Sequence, residues 1–278
     1  MASFLLSRGI LMSATPVRPA RRRNEPPSTP VPLLPTVVVG SYKGGVWKTS
    51  VAVSVAERLA WAGLRILLVT SDTQEDARSR LGLRANAPPV ATTMHGQGRV
   101  TVIGIRGARA IDILYRFGPA RLDSGVFDMV LVDTPPELFG GTLPGVLLIT
   151  PMDGTDAVRN LVPFLRQAPS NTEILLVRVG QADLDEWAET ANSLGSVLDR
   201  PLEFLEEPLR RSQRVHVAHD QGKSVWTLSR HGRAHDFLMG IDSLAEICWA
   251  KIRPNREWPE MPAAADSEPY VPGWDDDT

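Results

Sequence analysis

Short apolar runs alternate with helix-period segments through the middle of this chain. Residues 36–39 form a continuous apolar run of strand length. Residues 66–69, 100–105, 129–132, 146–150 and 174–179 repeat that signature. Between the first two runs, Val51, Val55 and Leu59 fall on one helical stripe with Ala52, Ala56 and Ala60 beside it, and Gly63 supplies the stop. Further helical patterns are expected near 155–167, 183–194, 208–220 and 231–252. Strands alternating with helices predict βαβ units. The expected fold class is therefore α/β, doubly wound, with a mostly parallel sheet flanked by helices.

Composition supports one such domain. The chain has 278 residues, 43% hydrophobic and 22% charged, enough for a full core. Both ends are Pro-rich and lack periodic apolar residues, so three parts are expected: a basic Pro/Arg-rich tail over 1–35, a domain over 36–253 and an acidic Pro-rich tail over 254–278. The first tail carries Arg8, Arg18, Arg21, Arg22 and Arg23 against Glu25, and Met12 is an alternative start within it. The last stretch carries Arg256 against seven acidic residues, among them Asp275, Asp276 and Asp277. The longest apolar runs fall far short of the roughly 20 residues that span a bilayer, and Arg8 interrupts the apolar patch at residues 4–12. A cytoplasmic protein without a membrane partner is expected. Its single cysteine, Cys248, cannot by itself make a disulfide or a cysteine-based metal site within one chain.

The chemistry-bearing segment lies between the first strand and the first helix: Gly40-Ser41-Tyr42-Lys43-Gly44-Gly45-Val46-Trp47-Lys48-Thr49-Ser50. Glycines let backbone N–H groups approach phosphate oxygens, and a helix N-terminus adds a favourable dipole. Lys48 is placed to reach terminal phosphates, and Thr49 to hold Mg²⁺.

On these residues the sequence resembles the ParA/MinD family of P-loop ATPases, whose deviant Walker A motif reads KGGxGKT[TS]. Lys43 falls at the family's signature lysine. Residues 67–74, LLVTSDTQ, are similar to the family's LLxDxDPQ segment and bring Asp72 to its second aspartate. Residues 127–136, FDMVLVDTPP, resemble its Walker B run and bring in Asp133. A softer likeness covers residues 211–225.

The resemblance implies ATP and Mg²⁺ as cofactors in a deviant Walker A P-loop NTPase fold. It places the nucleotide on Lys43, Gly44, Gly45, Val46, Trp47, Lys48, Thr49 and Ser50, the metal near Thr49, Asp72 and Asp133, and catalysis on Lys43 and Asp72. It implies a homodimer formed on ATP binding, which holds non-specific DNA until a ParB-like or other partner stimulates hydrolysis. That cycle serves DNA partition or cargo positioning, in the cytoplasm or on the nucleoid. Arg210, Arg211, Arg214, Lys223, Arg230 and Arg233 are the candidate DNA-contacting residues, because phosphate contacts need exposed cations on one face.

Two positions depart from the family pattern. Trp47 replaces the glycine before the loop lysine, so its Cβ and indole must avoid the nucleotide while the backbone approaches it. Thr70 replaces the first aspartate of the DxD pair and removes one carboxylate. Both keep open a slow or non-hydrolysing scaffold, and an accessory ATPase of conjugative DNA transfer shares the same fold. A MinD-type membrane switch would need a C-terminal basic amphipathic helix, and an iron–sulfur carrier would need paired cysteines; this sequence carries neither pattern.

Overall fold

An eight-stranded sheet organises the chain, in the order β3-β4-β2-β5-β1-β6-β7-β8. The computed structural model describes residues 34–42, 44–70, 76–104, 126–134, 146–153, 156–168, 170–180, 184–228 and 231–261. The strands are β1 (Thr36–Val39), β2 (Arg65–Thr70), β3 (Val90–His95), β4 (Gly98–Gly104), β5 (Met129–Asp133), β6 (Val146–Asp153), β7 (Glu173–Val179) and β8 (Glu203–Phe204). The helices are α1 (Lys48–Trp61), α2 (Asp76–Arg80), α3 (Asp156–Leu165), α4 (Leu184–Leu198), α5 (Gln213–Asp220) and α6 (Gly232–Ile252). Every paired neighbour is parallel except β3 with β4.

Alternation along each strand divides the core between the two sheet faces. Val37, Val39, Ile66, Leu68, Met129 and Leu131 pack with α1 and α6. Val38, Leu67, Val69, Val130 and Val132 pack with Phe164, Leu165, Trp187 and Leu194 from α3 and α4. The apolar stripe of α1 is therefore only part of its buried surface. It lies between the sheet and α6, so Ser50, Ser54, Glu57 and Arg58 are buried as well. Small residues such as Ala52, Ala56 and Ala60 allow that close sandwich.

Several elements differ from the sequence expectation. β3 was not expected, because its residues Val-Ala-Thr-Thr-Met-His sit at a sheet edge and alternate between exposed and half-buried, leaving no apolar run. It folds back on β4 through a two-residue turn at Gly96 and Gln97, in the register His95 opposite Gly98. A Cβ on Gly98 would stand 2.2 Å from the Leu64 carbonyl oxygen, so only glycine lets the hairpin meet the end of α1.

The helix expected over 208–220 begins only at Gln213. The preceding residues extend the sheet edge, with Leu209 N–H donating to Arg178 O and Gly180 N–H donating to Leu209 O. The chain after α6 also buries more than a tail would. Trp258 packs on the core, and its ring lies 4.0 Å from the guanidinium of Arg58. Arg58, itself fully buried, donates to Asp242 Oδ1 at 2.5 Å and to Pro259 O at 2.6 Å. Proline there ends the helix without preventing one tryptophan from docking. Residues 1–33 and 262–278 lie outside the described residues.

Candidate functional site

The ends of β1, β2 and β5 meet at one level. In the parallel register Val39 and Thr70 both stand opposite Asp133, on either side of β5. Thr134, just past β5, donates from both N and Oγ1 to Val39 O, at 3.2 and 3.0 Å, which locks the ends of β5 and β1 together. Helical connections leave β1 and β2 here, so the carboxyl ends open a crevice where α/β sheets characteristically bind ligands.

The glycine loop enters this crevice from β1. A Cβ on Gly40 would meet Phe164, Leu148 and Thr134 at 3.1–3.3 Å, so the first glycine serves close packing. Gly45 has φ +73° and open space where a Cβ would stand, which suits a loop whose backbone faces a ligand. Val46 is buried and anchors the loop from inside. α1 starts at Lys48, with the first helical bond running from Val51 N–H to Trp47 O at 2.9 Å. No side chain caps this turn, so its orphan N–H groups and the helix dipole favour an anion.

Trp47 occupies the left-handed region, at φ 62° and ψ 19°. That conformation costs a residue with a Cβ about 1–2 kcal/mol. The indole turns away from the loop onto α6, where its ring centroid is 5.5 Å from that of Phe237 at 58°. The backbone therefore keeps a glycine-like path while the side chain leaves the loop for the core.

Thr49 donates from Oγ1 to Asp133 Oδ2 at 3.0 Å, and Thr70 Oγ1 donates to the same oxygen at 3.3 Å. Asp133 is fully buried. A hydroxyl and a carboxylate this close at the mouth of a glycine loop form an all-oxygen donor pair of the kind hard divalent cations take, so the residues present fit Mg²⁺. Lys48, also buried, brings an ammonium to the same helix turn. Lys43 and Asp72 lie outside the described residues.

The C-terminal cations do not assemble as expected. Arg214 is buried, at 6% exposure, and is not available to an outside phosphate; as the second residue of α5 it faces the core side of a short helix. Arg211 is ion-paired with Asp153 at the end of β6, and Arg210 with Asp236 of α6 at 3.3 Å. Lys223 follows α5, Arg233 opens α6, and Arg230 lies outside the described residues. A sequence run of cations does not report which ones α6 and β6 neutralise.

Sequence reasoning missed Arg80, Phe237 and Arg58. Arg80 of α2 donates to Ser50 Oγ at 2.5 Å, Phe237 supports Trp47, and Arg58 carries a buried charge. The one signal for Phe237 was its helical position within 231–252. The two arginines gave none, since surface helices routinely carry arginine.

Comparisons with known proteins agree with this fold. A family model described as an AAA domain matches residues 35–105. The chromosome-partitioning ATPase Soj of Thermus thermophilus is 47% identical over 121 residues, covering 38% of this chain and 48% of that protein. The chain thus spans about half the length of that relative. Maintenance of carboxysome distribution protein A of Gloeobacter kilaueensis is 31% identical over 185 residues, covering 60% of this chain and 73% of that protein. Among solved structures, apo McdA of Cyanthece aligns with a TM-score of 0.58 at 19% identity, covering 76% of this chain and 99% of that one. MinD of Aquifex aeolicus aligns at 0.54 and 15% identity, covering 76% and 97%. At these identities the structural likeness speaks for the fold. No helix among the described residues is long and apolar enough to cross a membrane.

Proposed function

Because the chain belongs to the ParA/MinD family of P-loop ATPases, we propose that it is an ATP-dependent dimerisation switch acting in DNA partition or the positioning of another cargo. The observation that carries this reading is the 3.0 Å contact between Thr49 Oγ1 and Asp133 Oδ2 beside an uncapped helix N-terminus. Residues 43–50 would cradle the phosphates of ATP, with Lys48 neutralising them and Thr49 and Asp133 holding Mg²⁺. The ion, when bound, neutralises charge that develops on the phosphate oxygens. The chain's own contribution is positional. Backbone N–H groups of the loop bind the phosphates, and the buried carboxylate of Asp133 orients the Thr49 hydroxyl. Lys43 and Asp72 would complete the site, Lys43 toward the nucleotide of a second copy and Asp72 beside the attacking water.

Named relatives support the switch in outline: one is a chromosome-partitioning ATPase and another maintains carboxysome distribution. A solved complex of McdA carries ATP, and a MinD is solved with Mg-ADP. Non-specific DNA and a ParB-like stimulating protein are the partners the reading carries. Its candidate DNA contacts are Arg210, Arg211, Lys223, Arg230 and Arg233, Arg214 being buried. Thr70 favours a second reading, a scaffold with slow or no turnover. Its hydroxyl donates to Asp133 where the family pattern has a carboxylate.

Phosphate release measured with and without DNA, alongside molecular mass with and without ATP, tests both. The switch predicts a doubling of mass on ATP and turnover stimulated by DNA or partner. Doubling without turnover selects the scaffold, and neither response overturns the proposal.

A further inference from the structure

Ser50, the residue after Thr49, is held from outside the loop. Arg80, the last residue of α2, donates from Nη1 to Ser50 Oγ at 2.5 Å, and the same nitrogen lies 3.1 Å from His219 Nδ1 on α5. A guanidinium has donors only. Ser50 Oγ and His219 Nδ1 therefore both act as acceptors, and the imidazole proton sits on Nε2, 3.4 Å from Ser54 Oγ one turn further along α1. Burial first, then the nearby Arg80 and His216, push His219 down to about 3, so the ring stays neutral and this polarity persists at ordinary pH. The turns that follow α2 and α5 fix the distances. Gly82 and Gly222, both at positive φ, touch there, and a Cβ on Gly82 would stand 2.7 Å from the Gly222 carbonyl oxygen. No side chain can separate the two helices without carrying Arg80 away from Ser50.

A hydroxyl whose oxygen already accepts from a cation has its own proton left to donate. Ser50 is in the first turn of α1, one residue beyond the hydroxyl that meets Asp133. We propose that Arg80 is a positioning residue of the phosphate loop: it occupies Ser50 Oγ from the α2 side, so that the Ser50 O–H donates to a phosphate of the bound nucleotide. Through His219 the same guanidinium ties α5 to that loop. This inference rests on the proposed nucleotide site.

The test is a double-mutant cycle on the full chain, reading Mg·ATP affinity by calorimetry and folding by thermal melting for the unaltered protein, R80Q, S50A and R80Q/S50A. R80Q and S50A are each expected to weaken binding about tenfold, the size of one charge-assisted hydrogen bond. In the S50A background, R80Q is expected to cost no more than about twofold. R80K, which keeps a donor, is expected to recover most of the loss. Equal losses from R80Q in both backgrounds, or unchanged affinity with a lowered melting temperature, would overturn the inference while leaving the nucleotide site standing. Absence of ATP binding by the unaltered protein would remove both. Should R80Q fail to fold, R80M and R80M/S50A, which also remove the donor and keep the aliphatic stem, form the same cycle with the same criteria.

Discussion

The phosphate loop and the arginine segment over 210–233 handle charge in opposite ways. At the loop, Thr49 meets Asp133 at 3.0 Å, Lys48 is buried in the same helix turn, and no side chain caps the helix end. In the arginine segment, charge is spent inside the protein: Arg211 meets Asp153, Arg210 meets Asp236, and Arg214 is buried. In the proposed function, the first region takes its anion from outside. The second joins α5 and α6 to the sheet. Cations near one another in a sequence therefore become a binding surface only if no carboxylate of a neighbouring element reaches them first.

The largest expected effect separates these regions. Lys48→Ala should weaken Mg·ATP binding by roughly 100-fold, since it removes a desolvated cation from the phosphates, while leaving the denaturation midpoint nearly unchanged. Arg214→Gln should do the reverse, lowering stability by about 2–3 kcal/mol through a buried polar group left poorly matched, with little direct effect on nucleotide affinity. Arg210→Gln and Arg211→Gln should each cost less than about 1 kcal/mol, as half-exposed ion pairs do. Chemical denaturation of the three arginine variants checks that order, and a large loss from Arg210→Gln would break the contrast.

Trp47 sharpens it further. The side chain is held by Phe237, but the backbone is left-handed. Trp47→Ala loses the packing and keeps the strain, whereas Trp47→Gly loses the packing and relieves the strain. The glycine variant should therefore be more stable than the alanine variant by about 1 kcal/mol, with both below the unaltered chain. Alanine equal to or better than glycine would show that the loop does not need this conformation.

The smallest effect concerns the far end of α1. Burial raises Glu57 to about 8 despite hydrogen bonds from Ser224 and the Val225 backbone, and burial lowers His95, 3.9 Å away, to about 4. Glu57 holds its proton longer in the folded state than in the unfolded one. Its contribution is fully present below pH 4.5 and declines as pH rises toward 8. His95 and His219, both depressed from 6.5, act oppositely: their contributions are present above 6.5 and are lost as pH falls toward 4 and 3. Stability from these groups should peak near pH 6.5. Glu57→Gln should flatten the decline between 6.5 and 8, as followed by melting temperature against pH, and an unchanged alkaline slope would remove this account.

The strand–loop–helix unit at residues 36–61 was legible because spacing, glycine placement and apolar period all constrain the same local geometry. Asp133 was legible through the resemblance of residues 127–136 to the family's Walker B run, since an apolar strand ending in Asp is a weak signal by itself, and the parallel register brings it to Thr49. What sequence did not reveal depends on contacts between distant elements. β3 is stabilised by pairing with β4 and carries no apolar run of its own. Trp258 reaches Arg58 across the length of the chain. Arg80 meets Ser50 and His219 only because two glycine turns touch. The burial of Arg214 likewise follows from how α5 lies on the core.

The central claim, that residues 43–50 form a working phosphate site despite Trp47, is tested most directly by titrating the unaltered full-length chain with ATP in the presence and absence of Mg²⁺. Saturable binding that is clearly tighter with Mg²⁺ is the predicted result. No binding, or binding indifferent to the cation, would contradict it.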